Sequence, residues 1–224
     1  VQRRAPGDLA GPGNHNATFG LDTNLGFGER VTLFAFLANS NTQGRTGRDM
    51  AGRVVMEDSS PLIEARGGYT QVGQDFNPEV GFLRRAGYRK PDYGFYFNPR
   101  PKWGPIVRLS PHFTGEQFFD YSGNRISGVS HNDFRVDFRN GADVSFARNY
   151  YFESLDQPFK PFTGIIIPTG RYSFSESSLS FSTNASAPLF AGGNYATGPF
   201  YDGTLNTFSL NTGFRKGSNF LAQV

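Results

Sequence analysis

The most regular pattern in the chain is an alternation of apolar and charged residues from Asn132 to Asn149. Successive side chains of a β-strand point to opposite faces, so a strand over residues 132–139 separates the two kinds completely. The apolar face carries Phe134, Val136 and Phe138. The opposite face carries Asp133, Arg135, Asp137 and Arg139. After Asn140-Gly141-Ala142 the alternation resumes with Asp143 on the polar face and with Val144 and Phe146 on the apolar face. The pattern predicts a β-hairpin with one wholly apolar face.

The parity of the alternation also constrains the hairpin loop. A two-residue Asn140-Gly141 loop would place Phe138 beside Asp143 and mix the two faces. An odd loop that includes Ala142 keeps the faces separate, and it predicts that Phe138 pairs with Val144 and that Arg139 pairs with Asp143. We therefore expect a hairpin with a bulge.

Similar alternation recurs along the chain. Ala17–Phe27 is an amphipathic strand, residues 62–72 place Glu64 and Arg66 on a polar face, and residues 204–215 form an apolar face. The residues of that last face are Phe208, Leu210 and Phe214. Turn signals between such segments predict roughly 10–12 strands joined as an antiparallel meander. No window has the apolar spacing of a helix, so almost no helix is expected.

Two segments depart from simple alternation. Residues 150–169 mix aromatic residues with three prolines, which predicts a long loop. From Tyr172 onward the apolar phase shifts, because Tyr172 and Phe174 occupy even positions whereas Leu179 and Phe181 occupy odd positions. A shift of this kind predicts a β-bulge.

Composition narrows the class of protein. The 224 residues suit one all-β domain over residues 1–224, since sandwiches and barrels of roughly 200–250 residues occur as single units. The net charge is only +3 and acidic residues alternate with basic ones, which argues against a nucleic-acid partner. The absence of cysteine excludes a disulfide scaffold and a thiol nucleophile. No apolar run approaches the ~20 residues of a membrane-spanning helix, whereas a membrane-spanning strand needs only about 9–11 residues.

Candidate catalytic and metal-binding chemistry is sparse in the sequence. His15, His112 and His131 lie in different segments without metal-ligand spacing, so neither a metal nor another cofactor is predicted. Motifs of serine hydrolases, zinc proteases, P-loop proteins and dinucleotide-binding proteins are missing, and we predict no enzymatic activity. Asp75 and Glu79 offer oxygen ligands for a cation, but capping of their own loop backbone is the favoured interpretation.

The charged face of the hairpin has two interpretations. Rings of charge inside a channel select which ions pass, and Asp133, Arg135, Asp137, Arg139 and Asp143 would form such a surface. The simpler interpretation is cross-strand ion pairing on a wet face, which contributes only a few tenths of a kcal/mol per pair.

One stretch carries a family resemblance. Asp75-Phe76-Asn77-Pro78-Glu79-Val80-Gly81-Phe82, followed by Arg84-Arg85, resembles a motif of a bacterial outer-membrane protein family of unknown function. The similar region is the C-terminal β-barrel of that family, whose longer members begin with a sandwich similar to family 9 carbohydrate-binding modules. Shorter matching pieces are Arg3-Arg4-Ala5-Pro6-Gly7-Asp8, Ala51-Gly52-Arg53, Ile167-Pro168-Thr169-Gly170-Arg171-Tyr172 and Gly198-Pro199-Phe200-Tyr201-Asp202-Gly203.

The resemblance implies a barrel in the outer membrane of a Gram-negative bacterium and supplies no catalytic residues. The chain lacks the N-terminal sandwich and a closing aromatic residue after Phe220, so we expect it to be part of a longer polypeptide.

Pattern and resemblance together predict a transmembrane antiparallel β-barrel, or a large part of one, acting as a solute channel or as a component of a surface complex. The apolar residues named above would contact membrane lipid, and the charged residues of the hairpin with Glu64 and Arg66 would line a polar lumen. Other envelope proteins and carbohydrate are the further partners considered. The alternatives are a soluble sandwich that binds carbohydrate through Trp103, Tyr150 and Tyr151, and a structural surface subunit assembled by pairing of strand edges.

Overall fold

The described part of the chain is an antiparallel β-meander. The computed structural model describes residues 2–4, 15–79, 81–102 and 104–224. Thirteen strands are found among these residues, and strands that are neighbours in sequence are neighbours in the sheet. They are β1 (Gln2–Arg4), β2 (His15–Phe27), β3 (Val31–Thr42), β4 (Met50–Ser59), β5 (Ile63–Val72), β6 (Tyr88–Phe97), β7 (Ile106–Phe119), β8 (Arg125–Phe138), β9 (Asp143–Leu155), β10 (Gly170–Ser182), β11 (Leu189–Phe200), β12 (Gly203–Lys216) and β13 (Phe220–Gln223). No helix that is long and apolar enough to cross a membrane occurs in these ranges.

The all-β meander predicted from the alternation is confirmed. The strands β2 to β12 each have ten or more residues, whereas β1 has three and β13 has four. The long loop predicted over residues 150–169 is wrong in its first part, because β9 continues to Leu155. Tyr150 pairs with Ser175 and Leu155 pairs with Gly170, so aromatic residues of high β-propensity extend the strand until the prolines begin.

The bulge predicted in β10 is also wrong. Pairing of β10 with β9 runs without interruption from Gly170–Leu155 to Ser182–Asp143. The apolar phase shifts because the face that carries Tyr172 and Phe174 becomes polar further along β10, whereas Leu179 and Phe181 lie on the opposite face.

The β8–β9 hairpin has the predicted parity but a different register. Val136 pairs with Val144 and Asp137 pairs with Asp143, so the predicted pairs Phe138–Val144 and Arg139–Asp143 are wrong by two residues. The N–H of Phe138 donates to the carbonyl of Ala142 (2.9 Å), and the N–H of Gly141 donates to the carbonyl of Phe138 (3.0 Å). Gly141 adopts a left-handed backbone (φ +81°), which closes a three-residue loop of the type that ends in a glycine bulge.

By internal contacts the chain divides into two compact units. The first comprises Val1–Ser59, Ala65–Tyr93 and Glu116–Ile126, and the second comprises Ser60–Glu64, Gly94–Gly115 and Ser127–Val224. The first unit holds a small core in which Phe36, Ala38, Leu83 and Tyr88 pack around Ala51, Val72 and Phe76. One domain over residues 1–224 stays a prediction.

Candidate functional site

One face of five neighbouring strands in the second unit is apolar and exposed. Phe134 of β8 pairs with Phe146 of β9, and Phe146 also pairs with Leu179 of β10. The row continues through Tyr195 of β11 to Phe208 of β12. The exposed fraction of these five residues ranges from 46% for Tyr195 to 73% for Phe208. We refer to this set of five paired residues as the apolar row.

A second row of apolar residues lies beside the apolar row on the same face. It is formed by Val136, Val144, Phe181, Gly193 and Leu210. Of the eight residues assigned to lipid from the sequence, six are exposed in the structure, namely Phe134, Val144, Phe146, Phe208, Leu210 and Phe214. Val136 and Phe138 are half-buried.

The apolar surface ends at a polar row on the same face. That row consists of Asn132, Arg148, Ser177, Thr197 and Asn206. The guanidinium of Arg148 donates through Nη2 to the hydroxyl of Ser175 (2.6 Å) and through Nη1 to that of Ser177. The apolar surface therefore has a defined polar border on this side.

The opposite face of the same five strands is lined by polar and small residues. One row across the strands contains Arg135, Ser145, Ser180, Asn194 and Ser209. The rows on either side contain Asp133, Ala147, Ser178, Ala196 and Thr207, and Asp137, Asp143, Ser182, Gly192 and Asn211. Ala147 and Ala196 are buried although they share this face with charged residues.

Three charged residues of this polar face, Arg135, Asp137 and Asp143, form one ion-pair cluster. Asp137 and Asp143 lie directly opposite each other, and like charges in such positions repel unless a cation bridges them. Arg135 supplies the bridge, with Nε 2.8 Å from Asp137 Oδ1 and Nη2 3.3 Å from Asp143 Oδ2. Arg108 Nε lies 2.6 Å from the other oxygen of Asp137. Arg139 does not join this ladder, because it lies in the turn and donates to the carbonyl of Gly104 (3.1 Å).

Glu64 and Arg66, also assigned to the lumen from the sequence, belong to different clusters. Glu64 accepts a hydrogen bond from Asn98 Nδ2 (3.2 Å) in the second unit. Arg66 pairs with Glu57 (2.8 Å) and with Asp92 (3.2 Å) in the first unit. Asp92 is almost completely buried, and sequence reasoning did not single it out.

The loop that begins at Gly73 is anchored by a buried ring and by its backbone. Phe76 is buried in the core of the first unit, the N–H of Asn77 donates to Ser40 Oγ (2.9 Å), and Asn16 Nδ2 donates to the carbonyl of Asn77 (2.7 Å). Beyond Pro78, whose carbonyl accepts from the N–H of Gly81 (2.8 Å), Phe82 projects into solvent with 90% exposure.

The acidic residues of this loop contact groups of the same unit. Asp75 Oδ2 accepts from the backbone N–H of Arg48 (2.9 Å), and Glu79 Oε1 accepts from Asn77 Nδ2 (3.3 Å). At Gly73 a Cβ atom would lie 1.9 Å from the carbonyl oxygen of Arg48, so only glycine allows this close approach.

A histidine pair lies on the polar face of the second unit. His112 of β7 and His131 of β8 approach with their Nε2 atoms 3.2 Å apart. Asp133 Oδ1 lies 3.8 Å from His112 Nδ1, and one ligand atom from each of these three residues lies within 4.8 Å of the other two. Sequence spacing gave no sign of this cluster, since it depends on the register between β7 and β8. The sequence did indicate that His131 and Asp133, two residues apart in one strand, lie on the same face.

An aromatic cleft lies between the last part of β9, the first half of β10 and the end of β11 in the same unit. Its volume is about 410 Å³, and its lining includes Tyr151, Glu153, Phe174, Glu176, Phe200 and Tyr201. The rings of Tyr151 and Phe174 are stacked with centroids 5.2 Å apart. Burial raises the pKa of the Tyr201 hydroxyl, and the nearby Glu153 and Tyr172 raise it further. The cleft thus combines aromatic faces with carboxylates.

Comparison with known proteins gives no family assignment. No protein-family model, no curated protein and no solved structure matches this chain.

Proposed function

We propose that this chain is an outer-membrane β-barrel protein of a Gram-negative bacterium, or a large part of one, that acts as a solute channel or as a component of a surface complex. The observation that carries the proposal is that, in the second unit, large apolar side chains are exposed whereas a charged side chain is largely buried. Phe208 is 73% exposed, whereas the side chain of Asp133 is only 10% exposed. In water the exposure of Phe208 is unfavourable, whereas in lipid it is favourable. A barrel also places charged residues such as Asp133 on its inward, polar face.

The magnitude of the effect supports a nonaqueous environment for the apolar row. Burying one large apolar side chain contributes about 1.5–3 kcal/mol. Five half-exposed side chains therefore forgo several kcal/mol in water, a large share of the ~5–15 kcal/mol that stabilises a typical domain. Contact with lipid acyl chains supplies that missing burial.

The lengths of strands and connections fit the same proposal. The strands β2 to β12 have 10 to 14 residues, enough for the about 9–11 residues that a tilted strand needs to cross a bilayer. The connection from β2 to β3 has three residues (28–30), whereas residues 73–87 and 156–169 form long connections. Outer-membrane barrels combine short turns with longer loops.

The sheet edges define what the barrel requires. Among the described residues, β1 pairs with β2 over His15–Ala17 only, and the segment from Phe220 to Val224 pairs with β12 over Thr212–Lys216 only. Residues 19–27 and 204–211 thus form long outer edges. Because unpaired backbone groups cost several kcal/mol each in hydrocarbon, each of these edges must be paired with a further strand in the membrane.

The polar face supports passage of a solute more than catalysis. Its hydroxyl and amide groups, such as Ser180 Oγ and Asn194 Oδ1 (2.8 Å apart), offer hydrogen bonds. The charges of Asp137 and Asp143 are balanced by Arg135 and Arg108. The ligands of such a surface are small polar solutes. No catalytic role is proposed for any residue.

The aromatic cleft favours carbohydrate binding as a second candidate function. Stacked rings beside carboxylates suit the faces and hydroxyl groups of a sugar. Tyr151 lines the cleft, Tyr150 lies outside it on the exposed face, and Trp103 lies outside the described residues. Titration with oligosaccharides tests this function, with Phe174→Ala expected to weaken binding and Tyr150→Ala serving as the control.

The barrel proposal is tested by fractionation and by electrophoresis. Native cells are fractionated, the membranes are washed with urea and extracted with detergent, and the chain is run on a denaturing gel with and without boiling. Retention in the membrane and faster migration of the unboiled sample are expected. Recovery in the soluble fraction without a heat shift would contradict the barrel. Liposome swelling with sugars of increasing size then separates a channel from a surface-complex component.

A further inference from the structure

We propose that His112, His131 and Asp133 bind one divalent transition-metal ion of the zinc class. The proposal is independent of the membrane assignment, since it rests only on contacts within the second unit. It starts from the hydrogen bonds that fix the two imidazole rings.

The ring of His131 is fixed by a chain of contacts that starts at a carboxylate. Glu176 Oε1 is an acceptor, so the atom of Asn149 that lies 3.1 Å from it must be the amide nitrogen. The amide oxygen of Asn149 therefore faces His131 Nδ1, at 2.6 Å, and accepts its proton. With Nδ1 protonated, neutral His131 carries a lone pair on Nε2.

The ring of His112 is fixed by a backbone carbonyl and by a stacked ring. Its Nδ1 lies 3.3 Å from the backbone carbonyl oxygen of Ser110, which accepts and cannot donate. The ring also stacks on Tyr96, with centroids 4.7 Å apart and planes inclined by 17°. Neutral His112 therefore also directs the lone pair of Nε2 toward His131.

Two lone pairs that face each other at 3.2 Å need a cation between them. A tetrahedral zinc ion with Zn–N bonds of about 2.0–2.1 Å holds two nitrogen ligands about 3.3–3.4 Å apart. The observed separation is close to this value, so an ion enters with little movement of either ring. Histidines that bind metals commonly donate their other N–H to a carbonyl or amide oxygen, as both rings do here.

Asp133 adds the negative charge that such a site requires. Its side chain is 10% exposed, and Oδ1 has no hydrogen-bond partner although it is buried. A buried carboxylate oxygen without a donor is costly unless a cation is nearby. Two imidazoles and one carboxylate form a ligand set that suits zinc, copper or nickel and not magnesium or calcium.

The chain offers a clean test because it has three histidines and no cysteine. The full chain is purified in detergent, stripped with a chelator and titrated with Zn²⁺ against a chromophoric competitor. One ion per chain is expected, with no competition from Mg²⁺. His112→Gln and His131→Gln should each weaken binding at least ~10-fold, and Asn149→Ala, which removes the group that orients His131, should weaken it ~10–100-fold. His15→Gln is the matched control and should leave the affinity unchanged.

A spectroscopic readout keeps the test valid if a variant fails to fold. The electron paramagnetic resonance spectrum of Cu²⁺ bound to the unmodified chain should show hyperfine splitting from two nitrogen ligands. The proposal is overturned if tight binding persists after both histidines are replaced, or if the unmodified chain binds Zn²⁺ no better than His112→Gln does. Either result would mean that the two rings share a proton and do not bind a metal ion.

Discussion

Arg53 donates hydrogen bonds to both carboxylate oxygens of Asp92, with Nη1 3.0 Å from Oδ1 and Nη2 3.2 Å from Oδ2. The Asp92 side chain is 5% exposed and that of Arg53 is 19% exposed, so this ion pair in the first unit is largely withdrawn from solvent. Arg66 adds a further contact to Asp92 Oδ2 (3.2 Å). Arg66 also pairs with Glu57 (2.8 Å), so removing the Asp92 carboxylate leaves Arg53 as the cation that loses its ion-pair partner.

Replacing Asp92 tests this dependence. Asp92→Ala should lower the free energy of unfolding by about 3–5 kcal/mol, because removing one partner of a buried ion pair leaves the other charge buried without compensation. Asp58→Ala is the matched control, since its pair with Arg30 is 39% and 57% exposed and should contribute only about 0–1 kcal/mol. Both are measured by denaturant titration of the folded chain. Equal losses for the two variants would contradict the buried role of Asp92.

The apolar row allows a second test, which concerns lipid exposure at Phe146. Phe146→Arg should reduce the stability of the chain in lipid vesicles by about 2–4 kcal/mol if this position faces the middle of the bilayer. Ser173→Arg adds the same charge to the same face, six residues along β10 from Leu179, or about 20 Å away. Near the interface this control should lose only about 0–1 kcal/mol. The measurement is urea-induced unfolding in vesicles, and a neutral result at Phe146 would count against lipid contact there.

The alternation along β8 predicted which side chains share a face but not which residues they meet. Side chains alternate with a period of two, so a shift of the register by two residues leaves every face unchanged. The sequence pattern therefore could not distinguish the observed pair Val136–Val144 from the expected pair Phe138–Val144. The left-handed backbone of Gly141 decides between them through the loop it closes.

The sequence pattern also could not predict contacts between residues on different strands, because these contacts depend on the register. His112 and His131 meet only because β7 and β8 pair in one particular register, and no local spacing encodes it. Asp92 was missed because it follows a proline in a strand rich in aromatic residues, where nothing local marks burial. Local chemistry predicts faces and turns, whereas registers across the sheet decide which polar groups form a site.

The turn at Tyr201 gives a third prediction, which concerns backbone strain. Tyr201 is the first residue of a two-residue connection between Phe200 and Gly203, and its φ of 54° is a conformation that favours glycine. Its ring packs against Phe200 (4.8 Å between centroids) and Tyr172 (4.9 Å). Tyr201→Ala keeps the strain and loses the ring, whereas Tyr201→Gly loses the ring and relieves the strain.

The glycine variant should therefore be more stable than the alanine variant by about 1 kcal/mol. Tyr201→Phe retains the ring and should unfold at nearly the same denaturant concentration as the unmodified chain. Denaturant midpoints of the three variants provide the comparison. An alanine variant as stable as the glycine variant would show that the left-handed backbone is not retained.

A fourth prediction concerns the pH dependence of the turn between β7 and β8. Asp120 Oδ2 accepts from Asn124 Nδ2 and Oδ1 accepts from the backbone N–H of Asn124, both at 2.8 Å. These bonds, that from the Asn124 side chain above all, hold the pKa of the Asp120 carboxyl below its usual value. Because the folded-state pKa is lowered, the stabilisation is present above the pKa of the unfolded chain and is lost as the pH falls through the folded-state pKa.

Asn124→Ala removes the side-chain donor and should raise the pKa of Asp120 back toward the ordinary value of an aspartate. NMR titration of the carboxyl carbon measures the shift directly. Ser122→Ala is the matched control, because it changes a side chain of the same turn and leaves both Asn124 hydrogen bonds in place. The difference in stability between Asn124→Ala and the unmodified chain should shrink as the pH falls and Asp120 becomes protonated in both. A difference that stays constant from neutral to acidic pH would mean that Asn124 stabilises the turn without acting through the charge of Asp120.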